Sequence, residues 1–335
     1  MNADTVQTFK RTGTLKFDLF SLLRSAAAVL LGGAFGCALA FWRIYQPAPS
    51  SPFIAFVPRT TGANYDEDMR RGALAEGQSL GYRIYWNAPT REDDLDRQIQ
   101  IAETAVRRGA RAIILGPTNP GGVTTKIDNL IERKVPVVVV QTEAPVPTGP
   151  YLTSVTPNQD EFGRLAAERI DHVIDGTGQV AIIGLDPGTP ETLIRARSFI
   201  RAISADPKIE VVAQLPGSAQ TLEAEQSTRE ILNSFPRLRA IFAVSADATQ
   251  GAMLALQDLD PRHSIALVGS DRDWFLEENL RSGKLDSLIT ADPNRIGQLA
   301  MLAAVAGAEG RPLPPPQKVN AFLLTREGLE RANAP

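Results

Sequence analysis

Cysteine is nearly absent. Cys37 stands alone in 335 residues, which excludes an intrachain disulfide and a cysteine-cluster metal site. Histidine is almost as scarce: His172 lies in the helical run "ERIDHVID" and His263 in a turn-like stretch, positions that suit surface residues better than catalytic ones. A surplus of positive charge is missing too. With 35 Lys and Arg against 38 Asp and Glu, the formal net charge is -3, so no broad basic field exists to track a phosphate backbone, and nucleic acid is disfavoured as a partner. The HExxH, GxSxG and GxxxxGK[ST] patterns do not occur. The GxG in "GTGQVAIIG" precedes a strand-like run instead of following one, so it reads as a turn. No catalytic residue, metal or cofactor is expected.

One long uncharged run is present. Ser25 to Trp42, "SAAAVLLGGAFGCALAFW", follows a tail, 1–24, that carries Lys10, Arg11, Lys16 and Arg24. This is a short membrane-inserting segment whose basic flank stays cytoplasmic by the positive-inside rule, so everything after it is exported. Three fates are open: an uncleaved inner-membrane anchor over 25–42, a signal cleaved after Ala38-Leu39-Ala40, or a lipoprotein modified at Cys37, for which Ala34 is a poor lipobox residue. Residues 43–52, ending in "QPAPSSP", read as a linker.

Beyond Pro52, short β-rich apolar runs alternate with longer stretches of helical spacing. "FIAFV" leads to a helix over 66–80, "YRIYWNA" to 93–108 and "AIILG" to 122–133, before "VPVVVVQ". The pattern then repeats through "YLTSV", "QVAIIG", "VVAQL", "AIFAVS", "IALVGS" and "LDSLITA", closing on a helix over 293–307 and the strand "NAFLL". Near-continuous apolar strands between amphipathic helices imply parallel sheets covered on both faces. The length suits two lobes better than one. The fold class is therefore α/β, with two doubly wound lobes: 53–153 plus 292–317, and 154–291 plus 318–335. Lobe changes are expected near Thr153 to Thr156, Thr290 to Asp292 and Pro316 to Val319.

Ligands of open α/β sheets bind beyond the carboxyl ends of the strands. Those loops hold Arg59, Tyr65, Asp66, Trp86, Thr118, Gln141 and Glu143 on one side. Asp186, Thr189, Ser245, Asp247, Asp271 and Arg272 stand on the other.

Four stretches, "FVPRTTGANYDEDMRRGA", "DDLDRQIQIAETAVRRGARAIILGPTNP" with "KVPVVVV", "NQDEFGRLAAERI" and "IALVGSDRDWFLEENLRSGKLDSLITADPNRIGQLA", carry a family pattern. In order and spacing they resemble the type I periplasmic binding proteins, in the ribose-binding branch that supplies sugar ABC transporters. The resemblance covers nearly all of Phe53 to Thr325. It implies an interlobe ligand cleft, a carbohydrate-like ligand and a permease partner; the alternative is a receptor feeding a membrane sensor. The lactose-repressor class shares the domain, but carries a helix-turn-helix where this chain has its hydrophobic segment.

Carried over by position, Tyr65 matches an aromatic that stacks on a sugar ring, while the second aromatic of that pair is Asp66. Gln141, beside Thr142, replaces the acidic residue that often ends the fourth strand. Leu193 replaces a ligand-binding Arg, and Arg195 matches a more structural one, with Thr192 in the same stretch. Ser245, with Asp247 nearby, replaces the Asn of an Asn-Asp pair; Asp271 in "GSD" matches the family's ligand-binding Asp. The expected ligand contacts are Tyr65, Asp66, Trp86, Gln141, Thr142, Thr192, Ser245, Asp247 and Asp271. Tyr65 and Trp86 are the stacking platforms, unless they serve the core, and Asp66 caps the first helix equally well. Asp273 is placed to cap the helix of "WFLEENL", leaving Asp271 for a ligand hydroxyl.

Overall fold

The computed structural model describes residues 51–60, 64–91, 93–119, 121–144, 147–217, 220–260 and 264–332. The hydrophobic segment expected at 25–42, with its flanking tail and most of the linker, lies outside them. Among the described residues no helix is long and apolar enough to cross a membrane.

The first sheet takes β1 (Phe53–Val57), β2 (Arg83–Trp86), β3 (Ile113–Leu115), β4 (Val137–Val140), β5 (Leu152–Pro157) and β11 (Gln317–Val319), in the order β11-β5-β4-β3-β1-β2. The second takes β6 (Gly178–Leu185), β7 (Ile209–Pro216), β8 (Leu238–Ala243), β9 (Ala266–Ser270), β10 (Ser287–Ala291) and β12 (Ala321–Thr325), in the order β12-β10-β9-β8-β6-β7. All pairings are parallel except β10 with β12. The apolar runs become strands buried on both faces, as in β4, where all four valines are buried. The short edge strand β11 had no readable signal: its three residues, Gln-Lys-Val, bury only Val319.

The helices joining the strands are α1 (Asn64–Ser79), α2 (Leu95–Arg107), α3 (Thr124–Glu132), α4 (Gln159–Val173), α5 (Pro190–Ile203), α6 (Thr221–Ser234), α7 (Ala246–Leu259), α8 (Trp274–Arg281) and α9 (Pro293–Ala308); α10 (Arg326–Ala332) closes the described chain. Their starts follow local chemistry. Asp94, Ser245, Asp273 and Asp292 cap α2, α7, α8 and α9 through side-chain oxygens, and α5 and α9 begin with a proline at the first position.

Both sheets repeat one winding. In each, the first strand lies between the second and the third, so the topological switch falls between β1 and β3 in one sheet and between β6 and β8 in the other. The largest core cluster draws on both sheets, from Ile54 and Phe56 to Phe199 and Phe242. Glycines let two pairs of helices approach closely. A Cβ on Gly297 of α9 would overlap the Met69 carbonyl of α1, and one on Gly163 of α4 would overlap the Arg195 carbonyl of α5. The second contact seats Arg195 at the cleft.

Candidate ligand-binding cleft

The loops at both switch points line one cavity of about 1010 Å³. From the first sheet come Arg59, Tyr65, Asp66, Thr118 and Gln141; from the second, Glu191, Thr192, Arg195, Ser245, Asp247 and Asp271.

On the first side the loops after β1 and β3 are tied together by one buried amide. The Gln98 side chain of α2 is fully buried; its Nε2 donates to the Pro58 carbonyl at 2.9 Å and the Gly116 carbonyl at 2.7 Å, and its Oε1 accepts from the Thr118 N–H at 3.1 Å. Arg59 and Thr118 are thereby held at the wall. Gln141 follows β4 with φ 72°, a left-handed conformation uncommon outside Gly, Asn and Asp. Its Nε2 donates to Asp66 Oδ1 at 3.0 Å, and Asp66 is only 3% exposed. A side chain at Gly116 would crowd the Gln141 Oε1. Three buried atoms on this side have no partner among the described residues: Arg59 Nε, Thr118 Oγ1 and Gln141 Oε1.

The second side is wired to itself. Arg195, 5% exposed, donates to Asp271 through Nη1 at 2.8 Å and Nη2 at 3.0 Å, to Gln159 Oε1 at 2.6 Å and to the Val244 carbonyl at 2.9 Å. Its guanidinium lies 3.9 Å from the Phe162 ring centroid. Asp271 has φ 65°, and its N–H donates to the Ile289 carbonyl at 2.8 Å. The expectation that Asp273 caps the next helix holds: it accepts from the Leu276 N–H at 2.8 Å and from Gln250 Nε2 at 2.7 Å. Asp271 is nevertheless already engaged, because Arg195, which looked structural in the sequence, reaches the cleft and grips it.

The other expected residues divide. Thr192 lines the cavity, but its hydroxyl donates to the Thr189 carbonyl at 2.8 Å and accepts from the Asp186 N–H at 3.1 Å, holding the turn after β6. Ser245 Oγ accepts from the Ala248 N–H at 3.1 Å as the α7 cap. Asp247 accepts from the Thr221 hydroxyl at 3.3 Å. It lines the cavity and is exposed, yet its carboxyl is partly desolvated. This desolvation pushes its carboxyl above the usual range; the Thr221 bond works against the shift, and Asp273 and Asp271 add to it.

Two expected contacts are not among the cavity-lining residues. Trp86 packs on Phe56, with ring centroids 4.6 Å apart, and Arg70 covers it at 5.7 Å; the apolar run around it is core packing. Thr142 is buried. Glu143 pairs with Lys318 at 3.5 Å. Tyr65 does line the cavity. Burial, foremost, raises its phenol well above the ordinary value; Asp271 and Asp66 reinforce the shift, and Arg195 and Arg59 oppose it. The phenol thus sits amid charges from both sides.

Sequence reasoning missed Glu191, which is 9% exposed with an unpartnered Oε2. Its position behind Pro190 marks it only as a first-turn acid. Trp274 and Phe275 also line the cavity; in the sequence they mark only the start of a helix.

Residues 54–312 match the family model described as "Periplasmic binding protein domain". The chain belongs to that family, so it is a solute-binding protein and not an enzyme, and membership implies a periplasmic location. Among curated proteins it is similar to the ribose import binding protein of Bacillus subtilis, 23% identical over 70% of this chain and 75% of that one. Among solved structures it resembles AraP, an arabinose binding protein from Geobacillus stearothermophilus, with TM-score 0.78, 20% identity and coverage of 85% of this chain and 100% of that one. A carbohydrate transporter solute binding protein from Agrobacterium radiobacter, in complex with D-arabinose, has TM-score 0.75 and 23% identity, covering 85% and 98%. At these identities the structural likeness establishes the two-lobed fold.

Proposed function

We propose that the chain captures a sugar or closely related polyhydroxyl compound in this cleft and delivers it to an ABC transporter permease. The observation that carries the reading is the set of buried, unpartnered polar atoms on the cavity wall. Arg59 Nε is a donor, Gln141 Oε1 and Glu191 Oε2 are acceptors, and Thr118 Oγ1 serves as either. A buried polar group left unpaired costs about 1 to 3 kcal/mol. Hydroxyl groups, each both donor and acceptor, relieve such a mixed set; a purely anionic or purely apolar ligand does not. Tyr65 offers a ring face, and the Arg195–Asp271 pair presents a fixed carboxylate with lone pairs left to accept. Asp66, Gln141, Thr192, Ser245 and Asp247 complete the wall.

The chain passes between the lobes near Thr153 to Thr156, Thr290 to Asp292 and Pro316 to Val319, as the sequence pattern and the family resemblance lead us to expect, and the lobes close around the ligand at these crossings. Residues 25–42 hold the protein at the inner membrane, with the tail cytoplasmic. Thermal shift of the full-length protein against pentoses, hexoses and polyols tests the ligand class. A ligand at a hundred times its dissociation constant stabilises by about 2.7 kcal/mol. Stabilisation by amino acids or carboxylates with none by any sugar or polyol overturns the reading. Loss of uptake of the identified sugar on deletion of the gene tests delivery to a transporter, and unchanged uptake with a lost transcriptional response favours the sensor alternative.

A further inference from the structure

Trp274 is 70% exposed, an unusual state for the largest apolar side chain, and it faces the cavity together with Phe275. The two rings meet edge-on with centroids 5.9 Å apart. The backbone that presents them is held in place. Asp273 caps α8 and takes a second bond from Gln250, and Arg272 pairs with Glu277 at 2.6 Å. Trp274 thus stands on a fixed backbone at a capped helix start and does not hang from a free loop.

The cavity is larger than one sugar ring requires. Its volume of about 1010 Å³ sits at the top of the range for small-molecule sites, roughly 300 to 1,000 Å³. Arg195 is buried and Tyr65 and Asp271 are half-buried, whereas Trp274 stands open to solvent. A deep polar section and an exposed aromatic section therefore share one cavity.

From this division we infer that the ligand carries a second ring, and that Trp274 is the residue that selects it: the preferred ligands are disaccharides or glycosides with an aromatic aglycone. The inference rests on the carbohydrate reading above. The first sugar ring occupies the polar section beside Tyr65 and Asp271. The second lies across the Trp274 indole, where ring faces stack without demanding a particular hydroxyl pattern.

The test uses the full-length protein and isothermal titration. The sugar that gives the largest thermal shift is compared as the free sugar, its methyl glycoside, its phenyl glycoside and a disaccharide that ends in it. The phenyl glycoside and the disaccharide are expected to bind about tenfold tighter than the methyl glycoside, the size of one stacking contact. Trp274→Ala should erase that difference while leaving methyl glycoside affinity and apo melting temperature unchanged, and Trp274→Phe should keep most of it. Equal affinity for methyl and phenyl glycosides in the unmutated protein overturns the inference, as does a uniform loss for all ligands in Trp274→Ala. Binding of the free sugar with exclusion of every glycoside sinks the second ring alone. Absence of binding to any carbohydrate sinks the parent reading with it.

Discussion

The two sides of the cleft are built from the same winding but balance their polar groups in opposite ways. The side after β6, β8 and β9 turns its strongest groups on itself, with Glu191 Oε2 the exception: the Arg195 guanidinium meets a carboxylate, an amide, a carbonyl and a ring face. The side after β1, β3 and β4 is held from behind by Gln98 and leaves Arg59 Nε, Thr118 Oγ1 and Gln141 Oε1 without partners among the described residues. Groups that are already paired stabilise the fold, and groups that are not are available to a ligand. Substitutions on the first kind should be read in stability, on the second in affinity.

The largest effect is expected at Arg195. Replacing it with Met leaves the half-buried Asp271 carboxylate and the buried Gln159 amide without their partner, and should cost about 3 kcal/mol in urea unfolding, the lower end for a broken buried pair. Stability within 1 kcal/mol of the unmutated protein would break the contrast between the two sides. Gln98→Ala comes next. It orphans two carbonyls and one N–H, for a loss of about 2 kcal/mol, and because it frees the loops bearing Arg59 and Thr118 it should weaken ligand binding as well; unchanged affinity would mean that those loops hold their shape without it.

Asp271→Asn should cost about 1.5 kcal/mol, the lower range for a hydrogen bond to a charged group. Asn tolerates the left-handed backbone there and keeps one acceptor toward Arg195. A change in affinity with no change in unfolding would show that the pair is not structural.

The phenol of Tyr65 gives a pH test. Its folded pKa is raised, so the folded state holds the proton more tightly than the unfolded chain. The resulting stability is complete below the unfolded value of about 10 and is lost as pH rises above it. Chemical unfolding at increasing alkaline pH should show this loss in the unmutated protein and not in Tyr65→Phe; parallel curves would place the phenol in contact with water. The smallest stability effect belongs to Thr118→Ala, within about 0.5 kcal/mol, while affinity for a sugar ligand falls by about 1 kcal/mol. A larger loss in unfolding than in binding would move Thr118 to the structural class.

Much of this was legible in the chain itself. The helix expected over 293–307 is α9 to within one residue, and the runs "FIAFV" and "VVVV" are β1 and β4, because period and β-branched content are properties of neighbours in sequence. Asp273 could be seen to cap α8 since a cap reads its own next three residues. Tyr65, Asp66, Gln141 and Asp271 could be placed at strand ends, where loops of such sheets converge.

What the sequence could not determine is which of those groups are already taken. Arg195 and Asp271 lie 76 residues apart, Gln141 and Asp66 lie 75 apart, and no local pattern marks either pair. Trp86 and Trp274 show the same limit: both follow or open an apolar stretch, yet one is half-buried against Phe56 and Arg70 and the other stands open in the cleft. Local propensity and periodicity fix where strands, helices and caps begin. Pairing and exposure depend on which distant surfaces the fold brings within hydrogen-bond or van der Waals reach, and only the tertiary structure decides that.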